Sequence, residues 1–150
     1  MLTEEAEKKA QEQAEQQSID NAIATQLVPV TVQISADKFE CALVSSFEGG
    51  SREWLAEIEV VRDPSRECRF HSDMPFFGAE LQLVVHDGYN PLTDGAKFHR
   101  NLTLQALVEG FQILAQKYPH HAMDLLADNG DAVTGDVLVQ CAIFGDIVYA

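Results

Sequence analysis

Residues 28–61, VPVTVQISADKFECALVSSFEGGSREWLAEIEVV, decide the fold class. Val28, Val30, Val32 and Ile34 alternate with Pro29, Thr31 and Gln33, the period of a strand with one buried face. Ala36-Asp37-Lys38 reads as a turn, after which Phe39, Cys41, Leu43 and Phe47 share one face of a second strand. Glu48-Gly49-Gly50-Ser51 reads as a hairpin loop, because paired glycines accept positive φ. The returning segment sets Trp54, Ala56, Ile58 and Val60 against Glu53, Glu57 and Glu59, and only Leu55 blurs that division. The stretch therefore predicts a β-meander.

Toward the C-terminus, residues 62–78, RDPSRECRFHSDMPFFG, hold neither a strand nor a helix period and contain two prolines. They read as a long loop, a feature that is often functional. Strand alternation returns at 79–85 with Leu81, Leu83 and Val85 inward, and a second irregular stretch runs from His86 to Gly95. Residues 102–118 predict the main helix, with Leu104, Leu107, Val108, Phe111, Leu114, Ala115 and Tyr118 on one face. Asn101 or Thr103 serves as its cap, and Pro119 stops it. A short helix is expected at 120–127, ended by Asn129-Gly130. In 136–149 the apolar odd positions Val137, Val139, Cys141, Ile143, Ile147 and Tyr149 favour a strand, with a buried helix as the open alternative.

Toward the N-terminus, residues 3–26 predict a polar helix that starts at Thr3 and carries Glu4 and Glu5 in its first turn. Its first half offers only Ala6, Ala10 and Ala14 as an apolar stripe, so docking is expected through Ile19, Ala22, Ile23 and Leu27. The expected organisation is a polar helix over 1–27 and a single α+β domain over 28–150. Its sheet is mostly antiparallel, with four to five strands and helix 102–118 packed on it.

At 150 residues the chain can bury about 70% of its unfolded surface. Asp and Glu number 24 against 10 Lys and Arg, a net charge of −14. The excess recurs in each third, with 9 acids to 3 bases in 1–50, 9 to 6 in 51–100 and 6 to 1 in 101–150. Such a surface repels phosphate backbones and anionic membranes and attracts basic proteins. Cys41, Cys68 and Cys141 form no disulfide pattern, and Cys41 and Cys141 sit in apolar runs as buried thiols do. The opening MLTEEAEKK lacks the order of a secretory signal, and no stretch has the length of a membrane span. The expected compartment is the cytoplasm.

Catalytic motifs are scarce. The sequence holds no Walker loop, no G-x-G-x-x-G, no G-x-S-x-G and no H-E-x-x-H. On a helix His120 and Asp124 face the same way and His121 lies within reach, so the three are weak metal candidates that need a further ligand such as His86 or His99. Cys68-x-x-His71 is at most half a zinc site. No cofactor is expected.

Binding features are better represented. Met74, Phe76 and Phe77 bring apolar area to an irregular loop. Glu53, Glu57 and Glu59 line one strand face, and Asp124, Asp128, Asp131 and Asp136 offer a second acidic patch. The expectation is a non-enzymatic acidic protein that engages a basic, nucleic-acid-handling protein, as a mobile-element inhibitor or DNA mimic would. No direct contact with nucleic acid or membrane is expected. Two alternatives stand beside it: a self-assembling protein that uses the N-terminal helix, and a small metal-dependent enzyme that uses the His120/His121/Asp124 cluster.

Overall fold

Asp131, Thr134 and Gly145 bracket the most buried element of the fold. The computed structural model describes residues 3–24, 28–86 and 97–149, the side chains of 19–24 excepted. The expected docking of Ile19, Ala22, Ile23 and Leu27, and nearly all of the 86–95 stretch, therefore lie outside the described residues. The chain divides into two units, Met1–Gln33 and Ile34–Ala150.

In the first unit, α1 spans Glu4–Ala24, and every described side chain from 3 to 18 is exposed, the alanines included. Residues 28–33 are not part of a sheet. Val28 and Val30 stay 73% and 75% exposed, so the alternation there buries nothing. A strand is held by its partner's backbone groups, and none pairs with this segment among the described residues.

The second unit is α+β. Among the described residues it holds helices α2 (Ala36–Ser45), α3 (Leu104–Lys117), α4 (Pro119–Leu126) and α5 (Ala132–Phe144). Its strands are β1 (Leu55–Arg62), β2 (Glu80–His86) and β3 (Lys97–Leu102), antiparallel in the order β1-β2-β3. The sheet thus has three strands, not the four to five expected from the sequence.

Three corrections account for the difference. Residues 36–45 form a helix, since Phe39, Ala42 and Leu43 are buried at helical spacing while Cys41 points to solvent. The alternation of Phe39, Cys41 and Leu43 was coincidental. The glycine pair closes no hairpin; it ends a π-type turn, Ser46–Gly50, that follows α2. The third correction is α5. The Asp131 carboxylate accepts from the Thr134 backbone N–H at 3.1 Å, the Thr134 hydroxyl oxygen accepts from the Asp131 N–H, and Gly145 ends the helix at φ 77°. Residues 137–141 of this helix are buried in succession, so it shows no single apolar face to a periodicity argument.

Glycines set how closely the helices approach. A Cβ on Gly110 of α3 would lie 2.6 Å from the Cα of Ala142, and one on Gly135 would lie 2.4 Å from the carbonyl oxygen of Ala42. Helices α3 and α2 thus press directly on the α5 backbone. Leu107, Phe111 and Leu114 of α3 are buried, whereas Leu104 and Val108 stay partly in solvent. The expected α3 face is therefore turned toward Gly110. Thr103 caps the helix by accepting from the Ala106 N–H at 3.1 Å.

Leu81, Leu83 and Val85 of β2 are completely buried and join Leu107, Leu114, Leu138 and Val139 in one core. Directly paired residues share a sheet face. Leu55, Ile58 and Val60, paired with Val85, Leu83 and Leu81, therefore face the helices, and Glu57 and Glu59, paired with Val84 and Gln82, face away. Ala56 and Val61 are extra residues that shift the register at each end of β1. The first bulge explains why Leu55 broke the expected alternation: it sits before the slip.

Candidate functional site

Three of the acidic residues singled out by the sequence, Asp128, Asp131 and Asp136, have partners within the fold. Asp131 is the α5 cap, and the backbone N–H of Thr134 holds its carboxyl below the usual carboxylate range. Asp128 pairs with Lys38 at 2.9 Å. Asp136 points inward: one carboxylate oxygen accepts from the Trp54 indole and the Ser51 hydroxyl, each at 2.7 Å, and the other accepts from Gln140 at 2.9 Å. Gln140 in turn takes the backbone N–H groups of Val148 and Tyr149 and donates to the Tyr149 carbonyl. Asp124 is half-buried on α4. Asp128 and Asp131 remain exposed despite these partners.

The aromatic loop behaves similarly. Met74–Phe77 is a single 3-10 turn with Pro75 buried, and Met74 and Phe76 pack on the core. Phe77 lies under the Arg66 guanidinium at 4.3 Å. Met74 and Phe76 thus help cover the core, and all three side chains remain half-buried.

His120 and His121 stack with ring centroids 4.0 Å apart on the first turn of α4. Burial, and then the neighbouring His120, lower the His121 pKa. His99 lies on the outward sheet face and His86 at the end of β2. Among the described residues no three His, Cys, Asp or Glu side chains converge on a common point. Ser46 and Ser51 hydrogen-bond to each other, and Ser51 reaches Asp136, but no histidine joins them and both serines are buried. Ser46 also lines the groove beside β1, as does His71, but among the described residues no hydrogen bond joins that histidine to the serines.

The β1 edge is what remains. Glu53 precedes the strand, and Glu57 and Glu59 stand on its outward face; all three are exposed and unpaired among the described ion pairs. Glu80 on the neighbouring strand is neutralised, by Arg62 at 3.7 Å and by a hydrogen bond from Asn101 at 3.2 Å. Beside the strand runs an open groove of about 250 Å³, lined by the apolar Phe47, Leu55, Ala56 and Ile58 and by the polar Ser46, Arg52, Glu57 and His71. The opposite edge has the other sign: β3 carries Lys97, His99 and Arg100. The sequence identifies the glutamates but not the groove, because Ser46, Phe47 and Arg52 are set beside β1 by a π-type turn where it predicts a hairpin loop at Glu48–Ser51.

Comparison with known protein families, curated proteins and solved structures finds no match to this chain. No helix among the described residues is long and apolar enough to cross a membrane.

Proposed function

We propose that this chain is a non-enzymatic acidic binding protein that engages a basic, nucleic-acid-handling protein. The observation that carries the reading is the run of Glu53, Glu57 and Glu59 at the β1 edge, exposed and outside the described ion pairs, whereas Asp128, Asp131 and Asp136 are held by an ion pair, a helix cap and the Trp54 network. An uncompensated row of carboxylates steers and holds a cationic partner and repels nucleic acid itself. Within this reading, the chain would occupy a basic surface that otherwise takes a phosphate backbone, as a DNA mimic or mobile-element inhibitor does.

The test is retention of host proteins on the immobilised chain at low salt, with identification by mass spectrometry and elution by duplex DNA. Basic nucleic-acid-binding proteins should be held, should elute with DNA, and should be lost as salt rises, because exposed charges are screened within about 8 Å at physiological ionic strength. Retention indifferent to salt, or equal on a Glu53→Gln/Glu57→Gln/Glu59→Gln variant, would remove the electrostatic basis of the proposal.

A further inference from the structure

An edge strand exposes a row of backbone N–H and C=O groups that its single neighbour cannot satisfy. In β1 no described backbone bond takes the outward groups of residues 56–61, since the ladder runs to β2 alone. The regular stretch between the two bulges is Glu57–Val60. One face of it presents Glu57 and Glu59 and the other presents Ile58 and Val60, and the groove beside it takes in Phe47, Leu55 and Ile58 together with Arg52, Glu57 and His71. Ile58 is half-buried, and Val60 is 37% exposed, so the core is open along this edge.

We infer that β1 is a strand-addition site for an extended protein segment in which Lys or Arg alternates with apolar residues. Same-face positions on an added strand are spaced as in β1, so cations at alternate positions meet Glu57 and Glu59. The intervening apolar side chains enter the groove beside Phe47, Leu55 and Ile58. Backbone pairing supplies affinity and the alternating pockets supply selectivity. The β3 edge offers the same backbone groups, but Lys97, His99 and Arg100 repel such a segment, so the choice of edge is set by charge. The four-residue window between the bulges makes the contact short, and the complex is expected to be transient. This inference rests on the proposed function and adds the mode of engagement and the partner's local chemistry.

The experiment titrates the full chain with a fluorescent peptide of alternating lysine and valine, with the same peptide N-methylated on alternate residues, and with a glutamate–valine counterpart. The lysine–valine peptide should bind, the N-methylated form should lose binding, and the glutamate form should not bind. Glu57→Gln/Glu59→Gln, two exposed positions that leave the fold intact, should weaken binding about tenfold. Equal affinity for the N-methylated peptide overturns strand addition while leaving charge attraction in place. Failure of every cationic peptide overturns both readings. A chain that sediments as a dimer and excludes the peptide also overturns the inference, and points to the basic β3 edge of a second copy as the occupant.

Discussion

The indole N–H of Trp54 donates to the Asp136 carboxylate at 2.7 Å, across 82 residues of sequence. That bond ties the turn before β1 to the middle of α5. The same carboxylate receives Ser51, and its neighbour Gln140 holds the backbone of 148–149. Tyr149 stacks on the far side of the indole at 6.1 Å, nearly parallel. A single aspartate thus organises the junction of strand, helix and C-terminal segment.

Replacing it should be costly. Asp136→Ala leaves the Trp54 indole N–H without an acceptor where the residue is 1% exposed, and leaves Ser51 only its bond with Ser46. A buried donor without a partner costs about 1–3 kcal/mol, so urea unfolding should show a loss of that size or more. Asp136→Asn keeps one acceptor and should fall between. An Ala variant as stable as the parent would mean that water replaces the carboxylate.

Asp146 gives the protein a dependence on acid. It accepts from the Tyr118 hydroxyl at 2.7 Å, from Lys117 at 3.0 Å and from the Ile147 N–H at 2.8 Å. The Tyr118 hydrogen bond first, then Lys117, draw its pKa from 3.8 down to about 2. A carboxyl lowered by folding stabilises the folded state above its unfolded pKa, and that contribution disappears as pH falls through the folded value. The contribution is therefore full above about pH 4 and lost by about pH 2. Urea midpoints of the parent and of Asp146→Asn should differ at pH 5 and converge toward pH 2. A constant gap across that range would sever Asp146 from the acid limb.

Gly110 tests the helix packing. Alanine raises intrinsic helix propensity by about 1 kcal/mol, yet here its methyl would meet Ala142 at 2.6 Å from the Cα and 2.8 Å from the Cβ. The obstacle is backbone, which cannot swing aside as a side chain does. Overpacking of this kind costs about 1–3 kcal/mol, so Gly110→Ala should lower the thermal midpoint despite the better helix former. A higher midpoint would place α3 and α5 farther apart than described.

What the sequence disclosed depended on how each element meets its surroundings. Strand β2 and helix α3 have one wet and one dry side or a capped end, and both were readable from Leu81, Leu83 and Val85 and from Leu107, Phe111 and Leu114. Helix α5 is enclosed, so Val137, Leu138, Val139 and Cys141 carry no helical contrast, and a run of apolar odd positions passed for a strand. Its cap, Asp131 with Thr134, and its Gly145 stop were the legible signals. Strand β3 escaped notice because Lys97, His99 and Arg100 leave only Phe98 and Leu102 to mark a strand. At the candidate site, Glu57 and Glu59 followed from simple alternation. The fate of Asp128, Asp131 and Asp136 did not, because a carboxylate near others in sequence can be a cap, a pair or an inward acceptor, and only the fold separates these roles.

The two bulges in β1 also bear on how the protein behaves in a crowded solution. An open strand edge is a template that, left straight, recruits copy after copy into fibrillar cross-β stacks. Ala56 and Val61 interrupt the ladder at either end of the edge, and Glu57 and Glu59 would be brought against their own duplicates in any in-register stack. The edge can accept one guest strand of suitable charge, but it resists becoming the seed of an aggregate.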